Sequence, residues 1–463
     1  MKRKHIDMLS GPLFPNIIRY TIPIILTSVF QLMFHAADLI VVGQFCGSRS
    51  VAAVGATFYL TTLLVNFFTG ISIGAGVSTA QGIGSNKEEQ VHKTVHTAIP
   101  MALVSSMILT IPGVGFSDDF LRMMGTPENV LPLSVLYMRI YFCGITFNLL
   151  YNFSAAILRA AGDTRGPMIY LTSSGITNVV LNVVFVTVFH MDVAGVALAT
   201  TLSQGLSAVL TIGALMRRND ACKLHWNKLR FHRAQVWAIL KVGLPAGIQS
   251  TLFSISNVLS QAAVNSFGDV FISGNAAATN LEGFVYVSVN AFQQTAVNFI
   301  GQNAGADQYA RIKKTLLICL ALSGSIGLAI GVTFNVFGVS LLSLYIPGAA
   351  ESIAYGLIRL QTVVLPYFLH GLMDVFTGAL RGMGYSFTPM VISILGVCGL
   401  RITWLLTIFQ NPQFHTPHTL YLSYPFSWIV TTLCQLTAFI IVYRKQRALS
   451  NQRTENRPRS RSR

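Results

Sequence analysis

The chain is poor in charged residues. Asp, Glu, Lys and Arg make up only 10% of its 463 residues, whereas soluble domains average about 25%. Hydrophobic residues make up 52%. This composition argues against a soluble globular protein, and the sequence predicts an all-α integral membrane protein of which most residues lie in lipid.

Cysteine is also scarce, and its spacing excludes two kinds of site. The six cysteines are scattered and include no Cys-x-x-Cys pair, so we predict neither a disulfide framework nor a thiolate metal centre. No nucleophile with an adjacent base stands out, and we expect neither an enzyme nor a cofactor. The amino terminus shows no pattern of a removable signal peptide, because a full-length apolar stretch follows a polar, proline-containing segment.

Long polar stretches are rare, and the apolar stretches between them can each cross a bilayer, which takes about 20 residues. The sequence predicts twelve spans, near residues 14–43, 52–82, 95–116, 130–158, 167–190, 194–216, 235–265, 273–301, 314–342, 352–380, 388–410 and 420–443. The predicted domains are a six-helix lobe (1–216), a cytoplasmic linker (217–233), a second six-helix lobe (234–443) and a disordered basic tail (444–463).

The net charge of +16 invites a nucleic-acid partner, but the positions of the charges argue against one. Basic residues concentrate in alternate loops, in the segment 217–241 and in the tail. The intervening loops carry Asp118, Asp119, Asp192 and Asp269. Membrane proteins show this bias because basic loops stay in the cytoplasm. We therefore expect no nucleic-acid partner, and a multi-pass cell-membrane protein with both termini in the cytoplasm.

The two halves of the chain repeat each other at a spacing of 222 residues. Residues 158–168 read L-R-x-x-G-x-x-x-x-P-M, and residues 380–390 read the same pattern. Pro23 matches Pro245 at the same spacing. Because six spans is an even number, the two copies have the same orientation. The sequence therefore predicts parallel six-helix repeats, with substrate and ion sites near the membrane midplane.

One face of the first predicted span carries polar side chains. Thr27, Gln31, His35 and Asp38 are three or four residues apart and share one face of a helix. A carboxylate within a membrane span is costly and usually faces a bundle interior or an ion pathway. We predict that Asp38, with His35 beside it, couples transport to an ion, and that Gln31 contacts substrate. The alternative for Asp38 is an ion pair with Arg49 at the outer rim.

The second repeat carries polar groups at other positions. Glu282 corresponds to Leu60 of the first repeat, and Asn257 corresponds to His35. We predict that Glu282, Asn257 and Asp374 bind substrate. The alternative for Glu282 is an ion pair with a membrane arginine, and the alternative for Asp374 is an ion pair with Arg381. Three further basic residues lie in predicted spans, and we expect them to pair with acids or carbonyls: Arg139, Arg359 and Arg401.

Five short motifs occur along the chain in a specific order. They are D-L-I-V-V-G-Q at 38–44, A-A-V-G at 52–55, L-R-A-A-G-D-T at 158–164, N-V-V-L-N at 178–182 and V-A-G-V-A-L-A-T at 193–200. With the internal repeat, this set resembles the multidrug and toxic compound extrusion (MATE) transporters over about residues 10–445. Residues 84–90 lack the loop pattern of the major facilitator transporters, the other large class with parallel repeats.

The resemblance implies two lobes around a central cavity and export in exchange for H⁺ or Na⁺. In one branch of the family an acid on the first helix works with an acid on the fifth. Asp38 matches the first acid, but Asn182 stands at the fifth-helix position; its carbonyl can bind Na⁺ or a protonated Asp38. Asn178 shares its helical face, and the alternative for both amides is hydrogen bonding between helices. Pro23 matches a proline at which the first helix bends, and Glu282 resembles an acid that meets cationic substrates.

We therefore predict a secondary antiporter that exports organic cations, including drugs. The coupling ion is H⁺ or Na⁺, and Asp38 is the expected site if it is Na⁺. The expected partners are small organic cations and the lipid bilayer, and the expected state is a monomer. Two other classes stay open. One is a flippase for lipid-linked precursors, which would need a more cationic cavity, and the other is a membrane receptor or scaffold without transport.

Overall fold

Helices account for most of the described chain. The structure is a computed structural model that describes residues 5–455, apart from the side chains of residues 59 and 453–455. Within this range there are twelve long helical segments: α1 (Leu13–Phe45), α2 (Ser48–Gly84), α3 (Glu88–Gly115), α4 (Leu131–Ala160), α5 (Arg165–Thr187), α6 (Asp192–Met216), α7 (Arg233–Asn265), α8 (Asp269–Gly305), α9 (Tyr309–Val336), α10 (Ala350–Gly382), α11 (Phe387–Gln410) and α12 (Pro417–Glu455). They coincide with the twelve predicted spans.

Eleven of these described helices are long and apolar enough to cross a membrane. The exception is α8, which has 37 residues and amide side chains along much of its length. Most of its carboxyl-terminal half is buried, where it packs against α9 and α10. Because neighbouring helices cover it, α8 tolerates polar residues that a lipid-facing helix would not.

Two helices contain a π-helical turn. In α10 the turn Leu360–Val364 follows the α-helix Ala350–Arg359 and precedes Tyr367–Gly382. In α11 the turn Ile394–Gly399 lies between Phe387–Ser393 and Leu400–Leu406. Such turns are rare and are found frequently at functional sites. Nothing in the local sequence predicted them.

The internal repeat extends to the backbone of the loops. Residues with left-handed φ angles recur 221 to 223 positions apart, in the same four interhelical connections of each half: Gly47 and Gly268, Asn86 and Asp307, Gly125 and Gly348, Gly162 and Gly384. Glycine, asparagine and aspartate are the residues that adopt this conformation most readily. The two halves therefore share turn geometry as well as the order of their helices.

The described chain forms two compact units. The first consists mainly of Ile18–Thr79 and Lys87–Thr251. The second consists mainly of the chain from Leu252 onward and also includes Asp7–Ile17 and Ala80–Asn86. The second predicted lobe begins at residue 234, whereas the main part of the second unit begins at Leu252, within α7. The first half of α7 is thus part of the first unit.

Four glycines explain why α7 begins in the first unit. Gly70 and Gly74 lie one turn apart on α2, and Gly243 and Gly247 lie one turn apart on α7. A Cβ atom added at Gly70 would lie 2.4 Å from the Gly247 Cα, and one added at Gly74 would lie 2.0 Å from the carbonyl oxygen of Ile239. The two backbones therefore touch, as at other small-x-x-x-small crossings of membrane helices.

The predicted polar linker is ordered and bonded to α3. The backbone N–H of His225 donates to His96 Nε2 at 3.0 Å, and that of Arg230 donates to the His96 carbonyl at 3.3 Å. Within the linker Arg218 pairs with Asp220. Burial alone would raise the pKa of Asp220, but the Arg218 guanidinium holds it below its usual range. The linker is therefore part of the first unit.

The last helix is longer than predicted. The sequence analysis assigned residues from 444 onward to a disordered tail, but α12 continues to Glu455. That prediction is wrong for residues 444–455. Lys, Gln, Arg, Ala and Leu in this stretch are good helix formers, and extending an existing helix costs less than starting a new one. Residues 456–463 of the predicted tail lie outside the described residues.

Candidate functional site

The predicted ion-coupling residues meet within the first unit. Asn182 on α5 donates a hydrogen bond from Nδ2 to Oδ1 of Asp38 on α1. The same Nδ2 lies 3.4 Å from Asn178 Oδ1, one turn away. Asn178 in turn donates to Thr200 Oγ1 on α6 at 3.3 Å. A continuous chain of polar side chains thus links three helices, and we call it the Asp38 network.

One oxygen atom of this network lacks a partner. Asn182 is fully buried, and its Oδ1 makes no hydrogen bond to any described residue. Buried polar atoms are nearly always hydrogen-bonded, so each exception calls for a chemical reason. An amide oxygen beside a carboxylate can accept a hydrogen bond from the protonated acid or bind a hard cation. The network has the atoms for either ion.

Apolar side chains pack next to the network. Val42 and Val186 lie four residues beyond Asp38 and Asn182, and they form a buried cluster with Val41 and Val196. Tyr137 of α4 packs against this cluster. A lone charge beside such packing is unfavourable unless a proton, a cation or hydrogen bonds compensate it. The surroundings therefore favour reversible neutralisation of Asp38.

The other predicted residues of the first helix lie outside the network. Thr27 is buried and donates to the Pro23 carbonyl at 2.6 Å. Gln31 and His35 are exposed. The helix runs unbroken through Pro23, and a bend there stays a prediction. Arg49 donates to the backbone carbonyl of Asn129, which makes it a poor candidate as the partner of Asp38.

Glu282 in the second unit has an arginine partner. Arg359 Nε and Nη2 lie 3.0 and 2.6 Å from Glu282 Oε2, and both side chains are largely buried. Arg359 Nη1 and the Tyr421 hydroxyl both donate to Asn275 Oδ1, at 2.7 and 2.9 Å. The alternative given for Glu282, an ion pair with a membrane arginine, is therefore present, and its contact with organic cations stays a prediction. Its partner lies 77 residues away, so helical spacing could not identify it.

Asp374 has neutral hydrogen-bond partners, and Arg381 interacts with it electrostatically. Asn290 Nδ2 and Gln293 Nε2 donate to its two carboxylate oxygens at 3.3 and 3.4 Å. His370 Nδ1 lies 3.7 Å away, one turn earlier on α10. Sequence analysis missed both amides, although their spacing on α8 places them on one face. Asn257, the remaining predicted substrate residue, is exposed on α7.

The three arginines in predicted spans differ in their contacts. Arg139 is exposed and donates to Ser117 Oγ at 3.1 Å, and Arg359 pairs with an acid as expected. Arg401 does not: its guanidinium carbon lies 3.9 Å from the centre of the Tyr424 ring. Among the described residues Arg401 pairs with neither an acid nor a carbonyl, so the expected pairing is wrong for this part of the chain. In the described part of the chain, no group of three His, Cys, Asp or Glu residues could hold a metal ion.

The family model described as MatE matches residues 23–184 and again 245–405. The second match begins 222 residues after the first, at the spacing of the predicted repeat. Among curated proteins, the chain is 28% identical over 393 residues to the probable multidrug resistance protein YoeA of Bacillus subtilis, which covers 83% of this chain and 84% of the relative. It is 26% identical over 412 residues to an FAD transporter of Shewanella oneidensis, with coverage of 85% and 87%.

Solved structures share the fold. An outward-facing multidrug resistance MATE family transporter of the MOP superfamily superposes with a TM-score of 0.88 at 20% identity, over 97% of this chain and 100% of that one. These likenesses confirm the predicted twelve-helix, two-repeat fold and the resemblance noted from the motifs. The chain belongs to the MatE family of multi-pass membrane transporters, which are not enzymes.

Proposed function

We propose that the protein is a secondary antiporter that exports small organic compounds in exchange for H⁺ or Na⁺, with both termini in the cytoplasm. The observation that carries the proposal is the hydrogen bond between Asn182 and Asp38 on a buried polar network. Relatives named as multidrug resistance proteins support the export of small molecules. The basic loops and termini support the orientation.

Reversible neutralisation of Asp38 supplies the coupling. When the carboxylate is charged, Asn182 Nδ2 stabilises it by donating a hydrogen bond. When a proton or Na⁺ arrives, the charge is compensated, and an amide oxygen such as Asn182 Oδ1 can accept the carboxyl proton or bind the cation. Each charge that crosses contributes about 2.3 kcal/mol per 100 mV of membrane potential. That energy is available to drive an export cycle.

The charge of the substrate stays open in this proposal. Selection of organic cations was expected from Glu282, and the ion pair with Arg359 weakens that reason because the carboxylate already has a cationic partner. Asp374 is the remaining buried acid of the second unit. One relative is named as a transporter of FAD, which carries a pyrophosphate group. The experiment therefore uses a cationic and an anionic substrate of similar shape.

The test is transport by the full-length protein in proteoliposomes under an imposed pH or Na⁺ gradient. Two dyes with the same tricyclic ring serve as substrates, the cation tetramethylrosamine and the anion fluorescein. We expect gradient-driven movement of at least one dye by the wild type. In Asp38→Asn we expect only the leak rate of protein-free liposomes, because asparagine keeps the shape but cannot titrate.

A matched variant, His35→Asn, changes the other titratable residue of the same helix face, which lies outside the Asp38 network. We expect this variant to retain gradient-driven transport. Wild-type rates in folded Asp38→Asn would contradict the coupling role of Asp38. Absence of transport of both dyes by the wild type under either gradient would contradict the proposed function for these substrates.

A further inference from the structure

Arg401 is a buried cation that has no ionic partner among the described residues. Only 4% of its surface is exposed, and its Nε makes no hydrogen bond to any described residue. In the part of the chain that the structure describes it takes part in no ion pair, in contrast to Arg359, whose guanidinium contacts Glu282. Its guanidinium carbon lies over the face of the Tyr424 ring, 3.9 Å from the ring centre. A cation–π contact attracts the charge but does not neutralise it.

The buried charges of the second unit do not balance. Among the described residues within its spans, the buried or nearly buried charged side chains are three arginines and two acids: Arg359, Arg381, Arg401, Glu282 and Asp374. Counting these arginines and acids alone, this interior carries one excess positive charge. Charge in a low-dielectric interior is costly unless an opposite charge compensates it. The interior therefore lacks one anion.

The acids cannot easily supply that anion. Glu282 already accepts two bonds from Arg359. Asp374 accepts bonds from two amides and lies 3.7 Å from His370 Nδ1. Both acids are thus held by other groups, so the anion has to come from outside the chain.

The backbone is irregular next to both Arg359 and Arg401. Arg359 and Arg401 both lie over the ring of Tyr424, at 5.5 and 3.9 Å from its centre. The π-helical turn Leu360–Val364 begins directly after Arg359, and the turn Ile394–Gly399 ends two residues before Arg401. These are the two π-helical turns among the described residues. Irregular helical turns thus flank both cations that share this ring, and such turns are frequent at functional sites.

We propose that Arg401 binds the carboxylate or phosphate group of a transported organic anion. The guanidinium offers a planar fork of N–H donors that matches these groups in geometry and charge. Tyr424 holds the guanidinium from one side. The proposal rests on the proposed function, because it assigns a substrate class to the transporter. It makes this protein an exporter of acids, in contrast to the organic cations expected from Glu282.

Binding of fluorescein and of tetramethylrosamine to the purified full-length protein tests the proposal without any gradient. Fluorescence anisotropy in nanodiscs of neutral phosphatidylcholine reports the affinity. We expect the wild type to bind fluorescein, and Arg401→Gln to bind it about tenfold more weakly or worse, because a charge-assisted hydrogen bond is lost. Arg401→Lys keeps the charge without the fork and should bind with intermediate affinity. The matched control Arg139→Gln removes an exposed arginine from another helix and should bind like the wild type.

Several outcomes would overturn the assignment. These are equal affinity of wild type and Arg401→Gln for fluorescein, or wild-type binding of the cationic dye alone. If Arg401→Gln does not fold, the comparison of Arg401→Lys with Arg139→Gln decides instead, and equal affinities would overturn the proposal. Loss of fluorescein binding when phosphatidylglycerol replaces phosphatidylcholine would assign Arg401 to a lipid headgroup and would also overturn it.

This result is separable from the proposed function. Asp38→Asn should still bind fluorescein with wild-type affinity, because Asp38 belongs to the other unit. Binding that depends on Arg401 but is never followed by gradient-driven transport would contradict the antiporter alone. Transport that depends on Asp38, with binding indifferent to Arg401, would contradict the anion site alone.

Discussion

Asp38 and Glu282 are both carboxylates within membrane helices, but their partners differ in charge. Asp38 contacts a neutral amide, and Glu282 contacts a guanidinium. A carboxylate beside neutral donors can be protonated without leaving another charge exposed. A carboxylate paired with arginine cannot, because its protonation strands the arginine. At the residue scale, Asp38 is therefore suited to titrate and Glu282 is suited to hold the structure.

Asn182→Asp should change the pH dependence of transport. The new carboxylate would lie in contact with Asp38, and two adjacent acids raise the proton affinity of the pair. We expect the pH profile of gradient-driven dye transport to shift upward by about one unit or more. Asn257→Asp places an acid on an exposed site in the second repeat and should leave the profile unchanged. An unshifted profile in a folded Asn182→Asp variant would mean that positions 38 and 182 do not titrate together.

Glu282→Gln should destabilise the protein rather than only alter substrate choice. The substitution leaves Arg359 charged, buried and without its acid. Breaking one side of a buried ion pair costs about 3–5 kcal/mol. We expect a lower thermal unfolding midpoint in detergent, measured by intrinsic fluorescence.

The double variant with Arg359→Gln is the matched comparison for Glu282→Gln. It removes both charges and should recover part of the lost stability, because no charge is left unpaired. Glu351→Gln, at an exposed acid near the start of α10, should behave like the wild type. A Glu282→Gln protein as stable as the wild type would assign Glu282 to a role other than a structural ion pair.

At the scale of helices, a close backbone crossing decides how α7 is shared between the two units. Apolar composition predicted where each helix lies but not which helices touch. The glycines at 70, 74, 243 and 247 were visible in the sequence as two G-x-x-x-G pairs. Such a pair indicates a packing face, yet it does not name the partner helix. The structure pairs α2 with α7.

Gly247→Val should therefore prevent normal assembly of α2 and α7. A Cβ atom at this position would lie 2.3 Å from the Phe67 carbonyl oxygen, and backbone cannot move aside as a flexible side chain can. Overpacking typically costs about 1–3 kcal/mol and more where backbone must shift. Size-exclusion chromatography of the detergent-solubilised protein measures the folded yield, which we expect to fall. Gly213→Val, where nothing lies within 4 Å, should retain it, and similar yields for both variants would contradict a tight crossing.

At the scale of the whole molecule, the proposed orientation depends on the basic loops. It places the linker around Lys228 in the cytoplasm and the acidic connection at Asp119 outside. Both residues are exposed. Native Cys222 would not report on this, because burial and the nearby Asp220 carboxylate raise the pKa of its thiol to about 12. Because Cys143 and Cys434 are exposed, a cysteine-free background is the starting point.

In that background we expect Lys228→Cys to react with a membrane-impermeant maleimide only after the cells are permeabilised. Asp119→Cys, the matched control on the opposite side, should react in intact cells. The measurement is the fraction of protein labelled before and after permeabilisation. The reverse pattern would place both termini outside and would contradict the orientation in the proposed function.

The sequence by itself determined the number of helices, their approximate ends and their duplication, because these depend on apolar length and on repeated turn residues. It also determined that Asp38 lies on the polar face of the first helix and that Asn178 and Asn182 share one face of the fifth, since helical periodicity is local. Their contact through Asn182 followed only as an expectation from the family resemblance.

Only the tertiary structure decided which charges meet. Glu282 and Arg359 are far apart in sequence, and Arg401 lies over Tyr424 instead of an acid. Spacing within one helix carries no information about the neighbouring helix, whose rotation and depth set every such distance. The sequence did not predict the π-helical turns or the length of α12 for a related reason. Both depend on how a helix packs or extends and not on a residue pattern. The physical difference is between local periodicity and contacts made by packing.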